Sequence, residues 1–338
     1  MALPDLPFES QFYPWQIQPR EQLARQYHQN KLPHALLLSG QADLGKRNFA
    51  NGIARFLLCG APELEQACGH CSGCALIAAG THPDLKIVQP EEASKQIKID
   101  QVRALIDWSF HTAQRNGLKI AIIDPADAMN VATANALLKS LEEPAGNTLM
   151  MLVTHQPAKL LATIRSRCQR VEFARPMPEA VLPWLAQQLP GNQHLAMLLN
   201  IAGGAPLAVV RQSDEQYLQR RQVVAQRLAD LLVMQASAAE TLAKLAVDDP
   251  VMVVNLLLEL IADCLKWQFS KNNKGIKNID IEQEIHVVGE SIDSDFLFRL
   301  YERVLQEARH LASTSNVSPQ LLLEGLFDAI SHRQLKVF

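Results

Sequence analysis

Four cysteines lie close together with the spacing C-x8-C-x2-C-x2-C: Cys59, Cys68, Cys71 and Cys74. Gly69 and Gly73 lie between the paired cysteines, where tight turns let neighbouring thiolates converge on one ion. Four thiolates in a closed tetrahedron suit structural Zn²⁺ and leave no open position for a substrate. The alternatives are an iron–sulfur cluster or a redox dithiol, but no flanking segment is typical of a redox domain. The spacing therefore predicts a structural zinc site, in which His70 or His82 could replace one thiol.

A second candidate ligand-binding segment is Gly40–Arg47, which follows the apolar run Ala35–Ser39. It matches the phosphate-binding pattern G-x-x-x-x-G-K-[ST] at every conserved position but the last. In that pattern the glycines let backbone N–H groups converge on phosphates at a helix N-terminus, and the lysine pairs with the terminal phosphates. We therefore predict a degenerate phosphate loop at Gly40, Gly45 and Lys46. The alternative is a tight strand-to-helix turn without a ligand.

Two groups that ATP hydrolysis requires are missing from this site. Arg47 replaces the hydroxyl that should hold Mg²⁺, and a cation at that position repels a metal. The buried strand Lys119–Asp124 should be followed by a general base, but Pro125 carries no group that accepts a proton. Asp127 lies two residues further on, and we do not expect it to substitute. The chain is predicted not to hydrolyse ATP, although binding without hydrolysis stays open.

The distribution of apolar residues along the chain predicts an α/β domain followed by helices. Apolar runs alternate with segments of helical spacing, which predicts a parallel sheet covered by helices on both faces. The predicted strands are Ala35–Ser39, Leu85–Val88, Lys119–Asp124, Leu149–Thr154 and Gln169–Phe173. Asp100 is predicted to cap one intervening helix, and Pro144 is predicted to end another that spans Ala132–Glu143.

The character of the sequence changes after Phe173. Three prolines between positions 176 and 183 begin a small helical region, and every segment after Glu215 has helical spacing. The predicted domains are an α/β domain at 1–173 with a zinc module at 59–80, a helical lid at 174–213, and an all-helical domain at 214–338.

Charge argues against a protein that binds duplex DNA by itself. The chain of 338 residues carries 32 basic and 35 acidic residues, for a net charge of −3. Phosphate neutralisation supplies most of the affinity of such proteins, which therefore usually have a basic surplus. A zinc-containing nucleic-acid-binding module is a competing hypothesis, but residues 59–80 contain no Lys or Arg. We expect any contact with DNA to be shared with partner chains.

The sequence indicates a cytoplasmic protein. Residues 1–15 contain no basic segment followed by an apolar run, so a secretory signal is not expected. The most apolar stretch, at 251–265, is interrupted by acidic residues and is too short to span a bilayer. A hydrolase with another kind of site was also considered, but we find no nucleophile–base pair that would support it.

One series of motifs resembles a known family. The segment Asn135–Pro144 (NALLKSLEEP) is followed by Thr154 and then by Thr163–Cys168 (TIRSRC). This series is similar to that of clamp-loader ATPases of the AAA+ class, in which the arginine of Ser-Arg-Cys reaches the ATP site of the adjacent subunit. The resemblance implies this role in trans for Arg167. The alternative is a solvated basic face, since other arginines lie nearby: Arg165, Arg170 and Arg175.

Within that family, gamma/tau-type chains keep the metal-binding hydroxyl, an Asp-Glu pair and a sensor arginine in the lid. Arg47, Pro125 and Pro206 stand at those positions here, while Ser166–Cys168 is retained. The resemblance therefore implies a subunit that does not hydrolyse ATP. An active gamma/tau-type ATPase is the alternative function.

The resemblance also implies an architecture and partners. The expected architecture is a P-loop AAA+-type parallel-sheet domain with an inserted zinc module, a helical lid and an all-helical collar domain. The expected partners are gamma/tau-type and delta-type subunits of the clamp loader. Through that complex, the chain would act on a sliding clamp and primer–template DNA during DNA replication.

Overall fold

A computed structural model describes residues 12–63, 65–91, 96–115, 117–144, 146–212, 215–245, 249–273, 275–312 and 318–333. The strands are β1 (Ala35–Gly40), β2 (Leu85–Val88), β3 (Lys119–Ile123), β4 (Thr148–Thr154) and β5 (Gln169–Phe173). The helices are α1 (Ile17–His28), α2 (Lys46–Leu58), α3 (Ser72–Ala78), α4 (Ile99–Phe110), α5 (Val131–Glu142), α6 (Ala162–Arg165), α7 (Pro178–Gln188), α8 (Leu195–Ile201), α9 (Pro206–Gln212), α10 (Glu215–Leu232), α11 (Ala238–Leu245), α12 (Pro250–Ser270), α13 (Glu282–Ser291), α14 (Ser294–Ala312) and α15 (Pro319–Ser331). Single turns of 3-10 helix lie at Pro14–Gln16, Ala126–Ala128, Pro157–Lys159 and Ile279–Ile281.

The five strands form one parallel sheet in the order β2-β3-β4-β1-β5. In the register of the sheet, Leu37 of β1 lies opposite Leu152 of β4 on one side and Arg170 of β5 on the other. Every residue of β3 and β4 is buried, as expected for strands covered on both faces. The predicted parallel sheet is confirmed.

Helices cover the two faces of this sheet. One face packs against α4, α5 and α6 in an apolar cluster that includes Leu37, Leu105 and Leu137. Because side chains alternate along a strand, Leu36 and Leu38 of β1 point to the opposite face. Helix α2 contacts β1 and β4, with its own apolar side chains buried. The phosphate-loop segment, which joins β1 to α2, is therefore fixed at both ends by core packing.

Helix α5 forms close to where the sequence predicts it. The Asn130 side chain caps its first turn by accepting a hydrogen bond from the Thr133 N–H at 2.9 Å. The prediction of Asp100 as a cap is wrong, because the cap of α4 is Lys98 and Asp100 lies in the first helical turn. There the Gln101 side chain accepts a hydrogen bond from the Lys98 N–H at 2.9 Å.

The chain divides into two compact units. The first comprises Met1–Gly191 with Gly204–Arg211, and the second comprises Asn192–Gly203 with Gln212–Phe338. The boundaries of the three predicted domains stay a prediction. In the described parts of the chain, no single helix is long and apolar enough to cross a membrane.

The second unit is built from helices around one apolar core, to which α10, α12, α13, α14 and α15 contribute. A buried polar network lies within it. Arg221 of α10 places Nε 2.6 Å from an Asp280 oxygen and Nη1 3.4 Å from an oxygen of Glu259 in α12. Its side chain is only 4% exposed and that of Asp280 only 1%, so the pair lies outside bulk solvent.

Candidate functional site

The segment from β1 to α2, the predicted phosphate loop, turns at two glycines with positive φ. Gly40 and Gly45 have φ values of 148° and 79°, a region in which side chains are strongly disfavoured. A Cβ at Gly40 would lie 2.4 Å from the Phe173 carbonyl oxygen, and one at Gly45 would lie 2.4 Å from the Tyr13 ring. Both glycines are therefore required by backbone conformation and by close neighbours.

Lys46 is engaged within its own loop. Its side chain is almost fully buried, and Nζ donates hydrogen bonds to the carbonyl oxygens of Gly40, at 2.8 Å, and Gln41. Burial lowers the pKa of Lys46 to about 8, while the negative charges of Asp124 and Asp43 oppose that shift. The ammonium group thus satisfies two backbone carbonyls of the loop.

Arg47 pairs with the acid that follows β3. Its Nε lies 3.5 Å from an Asp124 carboxylate oxygen, and its Nη2 donates to the Gln89 side-chain oxygen at 2.7 Å. Asp124 is buried, and burial raises its pKa, whereas the adjacent charge of Arg47 lowers it. A guanidinium therefore neutralises the carboxylate that a metal-dependent site would direct at Mg²⁺.

Asp127 is hydrogen-bonded to residues at the end of β4. One of its carboxylate oxygens accepts hydrogen bonds from the Thr154 hydroxyl at 2.5 Å and from the His155 N–H at 3.2 Å. Partial desolvation of the nearby His155 imidazole lowers its pKa, and the positive charge of Lys46 acts in the same direction. These contacts hold the Asp127 carboxylate against the end of β4.

Residues before the first helix close over the phosphate loop. The Gln16 side-chain amide donates to the carbonyl oxygens of Leu44 and Gly45 at 3.1 and 2.9 Å. The Trp15 indole also donates to Leu44 at 3.1 Å, and the Tyr13 ring stacks on Trp15 with centroids 4.8 Å apart. Sequence reasoning missed this closure, and no motif spacing links these residues to the loop.

A second missed contact joins the loop to α9. Asp43 forms an ion pair with Arg211, and its carbonyl oxygen accepts a hydrogen bond from the Leu207 N–H at 3.2 Å. Pro206, which stands where the resemblance expects a sensor arginine, is the buried first residue of α9. The basic side chain that reaches the loop from this helix is thus Arg211, and its partner is a carboxylate.

The four predicted cysteine ligands are brought together. Their Sγ atoms all lie within 4.8 Å of one another. Cys59 Sγ lies 3.5 Å from that of Cys68, 3.8 Å from that of Cys71 and 3.7 Å from that of Cys74. Metal–sulfur bonds of about 2.3 Å in a tetrahedron require sulfur–sulfur distances of about 3.8 Å. The cluster therefore has the size and donor set of a closed metal site.

Backbone N–H groups point at these sulfurs. Those of Gly60 and Cys74 lie 3.4 Å from Cys71 Sγ, as expected for donors that stabilise a thiolate. Burial acts to raise the pKa of Cys71, but these hydrogen bonds outweigh it and lower the pKa to about 6. His82 lies apart, with Nδ1 accepting from the Asp84 N–H at 3.2 Å, and the metal-sized group found in the described residues contains only cysteines.

Arg167 lies between α6 and β5, with its side chain about one-third exposed. Its Nη1 donates to the Thr163 carbonyl oxygen at 2.9 Å. Its Nη2 lies 2.5 Å from an oxygen of Glu142, the last residue of α5. Both terminal nitrogens of the guanidinium are therefore in contact with groups of the same chain.

The arginines near Arg167 have different surroundings. Arg170 donates from Nε to the Ser39 hydroxyl at 3.1 Å and pairs with Glu172 at 3.5 Å. The side chain of Arg175 packs against Gly204, where a Cβ would come within 1.9 Å of its Nε. Arg165 is exposed in the last turn of α6.

The parallel sheet, the strand–turn–helix unit at Gly40–Arg47 and the helical second unit define a protein of the AAA+ type. Comparisons with known proteins narrow this class. The family described as "DNA polymerase III, delta subunit" matches residues 15–177, and "DNA polymerase III, delta subunit, C terminal" matches residues 215–330.

Curated relatives match along nearly the whole chain. DNA polymerase III subunit delta' of Pseudomonas aeruginosa is 39% identical, over 93% of this chain and 95% of that protein. The subunit of the same name from Escherichia coli K12 is 30% identical, over 95% of this chain and 96% of that protein. The chain belongs to the family of DNA polymerase III delta-prime subunits.

A solved structure of a "dna polymerase iii, gamma subunit-related protein" from Thermotoga maritima is also similar. It is 18% identical and covers 93% of this chain and 99% of that chain, with a TM-score of 0.44.

Proposed function

We propose that this chain is a non-hydrolysing subunit of the DNA polymerase III clamp loader. In this proposal Arg167 completes the ATP site of a neighbouring gamma-type subunit while a sliding clamp is loaded during DNA replication. Membership of the delta-prime family supports a role in DNA polymerase III. The observation that carries the non-hydrolysing part is the ion pair between Arg47 and Asp124.

In the chain's own predicted phosphate site, each group that hydrolysis needs is either missing or bound to another group of the same chain. Hydrolysis in P-loop proteins uses a lysine on the phosphates, a hydroxyl and an acid on Mg²⁺, and a group that orients the attacking water. Here the Lys46 ammonium group donates hydrogen bonds to carbonyl oxygens of its own loop, and Arg47 forms an ion pair with Asp124. An active gamma/tau-type ATPase would need Mg²⁺ to bind beside a guanidinium, which charge repulsion opposes.

Arg167 has the chemistry that a site supplied in trans requires. A guanidinium can donate two parallel hydrogen bonds to a phosphate and offset the negative charge that develops during transfer. Arginines that act in this way are worth about 10³–10⁵ in rate in other phosphoryl-transfer systems. The side chain of Arg167 lies at the surface of the first unit, partly exposed, as such a role demands.

The proposed ion at the four cysteines is Zn²⁺ in a structural role. A closed set of four thiolates has no open coordination position, so we assign no reaction step to the ion. Its contribution would be to cross-link the segment between α2 and α3, where the buried apolar cluster of the described residues consists of two of the cysteines and Ala67.

The proposed partners follow from the same role. Gamma/tau-type and delta-type subunits would surround this chain, its C-terminal helices would join theirs in a collar, and its location would be the cytoplasm. Sliding clamp and primer–template DNA would be reached through the complex. The net charge of −3 supports shared rather than independent binding of DNA.

The test of this function uses the reconstituted clamp loader with Arg167→Ala. Because only one of several ATP sites depends on this arginine, DNA-stimulated ATPase activity and clamp loading should both fall partially. Arg165→Ala removes an equivalent charge two residues away and should leave both rates unchanged. Arg167→Lys should restore little, since an ammonium lacks the planar pair of donors. Wild-type rates in the Arg167→Ala assembly would show that Arg167 is a surface charge without a role in the neighbour's ATP site.

A further inference from the structure

The contact between Arg167 and Glu142 engages the guanidinium that the proposed function assigns to a neighbour's ATP. Nη2 of Arg167 lies 2.5 Å from Glu142 Oε1, while Nη1 donates to the Thr163 carbonyl oxygen at 2.9 Å. A phosphate that is bound by a guanidinium in the bidentate way uses two of its N–H groups at once. In this conformation the two terminal nitrogens already serve groups of the same chain.

The position of Glu142 at the end of a helix strengthens its electrostatic attraction for Arg167. It is the last residue of α5, and the C-terminal end of a helix carries partial negative charge that favours a cation nearby. Thr163 belongs to α6, which packs against α5. Two elements of one unit therefore present a carboxylate and a carbonyl to the same guanidinium.

We propose that Glu142 is a positioning residue that holds Arg167 within its own chain until the ATP phosphate of a neighbouring subunit competes for it. This inference rests on the proposed function of Arg167. It assigns to Glu142 a regulatory effect on the neighbour's site: the carboxylate raises the ATP concentration at which the arginine transfers from one anion to the other.

The size of the effect follows from the exposure of the pair. The side chains of Arg167 and Glu142 are 34% and 48% exposed. Ion pairs of this kind are weak and are screened by salt, and their measured strength corresponds to a factor of about two to five in an equilibrium constant. Glu142 therefore adjusts the competition without preventing it.

The experiment uses a reconstituted clamp loader in which only the gamma-type subunit beside this chain can hydrolyse ATP. Glu142→Gln keeps the size of the side chain and removes its charge. It should lower the half-saturating ATP concentration about two- to fivefold at low salt and leave the maximal rate unchanged, because Arg167 leaves Glu142 once the phosphate is bound. The difference should shrink as salt is raised. Glu143→Gln, the same change at the next exposed residue, should have no effect.

A second set of variants separates the two proposals. In an Arg167→Ala background, Glu142→Gln should have no effect, because the competition no longer exists. If Arg167→Ala slows turnover but Glu142→Gln leaves the half-saturating concentration unchanged, the function stands and the role of Glu142 is wrong. A lower maximal rate in Glu142→Gln would also overturn it, since the carboxylate would then support the productive position. If Arg167→Ala changes nothing, both proposals fail.

Discussion

The guanidinium of Arg47 lies 3.5 Å from Asp124, a carboxylate whose pKa is raised by burial. In a P-loop protein that hydrolyses ATP, a metal ion would supply positive charge near such an acid. Here a side chain supplies it, so the carboxylate is stabilised without an ion. The same substitution that removes the metal-binding hydroxyl thus supplies a partner for Asp124.

The purified chain should show no ATP turnover above background. Arg47 excludes the metal, and Pro125 cannot act as a base. Phosphate release should be equal for the wild type and for Lys46→Ala, a variant that would abolish any activity of this loop. Steady turnover that is lost in Lys46→Ala would instead support the gamma/tau-type alternative.

The residues of the loop could be predicted from the sequence, but their neighbours could not. Gly40, Gly45 and Lys46 occur at the spacing of a known pattern. Gln16 reaches the loop from 29 positions away and Arg211 from 168 positions away, with no pattern that connects them. Only the folded backbone brings such residues together, so sequence reasoning missed both contacts.

At the scale of elements, the sheet was easier to predict than the helices of the second unit. Strands buried on both faces are continuous apolar runs, and the predicted β2 and β5 have the observed bounds. Helical spacing after Glu215 predicts helices but not their partners, because many faces could pack equally well. The network around Arg221 is a product of that packing and was not predicted.

The cysteine cluster provides a prediction at this scale. Elemental analysis should find one zinc ion per chain and no iron. Cys74→Ser should remove the metal and loosen residues 59–80 in hydrogen exchange, because binding at such sites contributes on the order of 10 kcal/mol to local folding. His70→Ala should keep the metal, since His70 is exposed and its Nδ1 lies 2.9 Å from the Cys68 carbonyl oxygen, to which it donates. Intact thiols without bound metal, or with iron, would contradict the assignment.

The buried polar network around Arg221 in the second unit gives a prediction about stability. Arg221→Leu leaves the carboxylate of Asp280 buried without its partner, so the unit should lose about 3–5 kcal/mol of unfolding free energy. Urea titration with hydrogen exchange in α10 and α12 measures the loss. Arg220→Leu, an exposed neighbour, should change stability by no more than about 0.5 kcal/mol. Equal stability of the two variants would show that the network contributes little.

The whole molecule has the fold of an AAA+ protein, and the role proposed for it depends on neighbouring subunits. Its net charge of −3 does not favour binding to DNA by itself, and its own phosphate loop is closed by its own side chains. Membership of the delta-prime family implies a complex with other clamp-loader subunits. In the proposed assembly, this chain completes an ATP site that belongs to its neighbour.

The most direct test measures single-turnover phosphate release in an assembly where only the adjacent gamma-type subunit can hydrolyse ATP. With every other site silent, the whole signal depends on one arginine. Arg167→Ala should leave the assembly intact by gel filtration and slow release at least about 10³-fold. A rate equal to that of the wild-type assembly would contradict it.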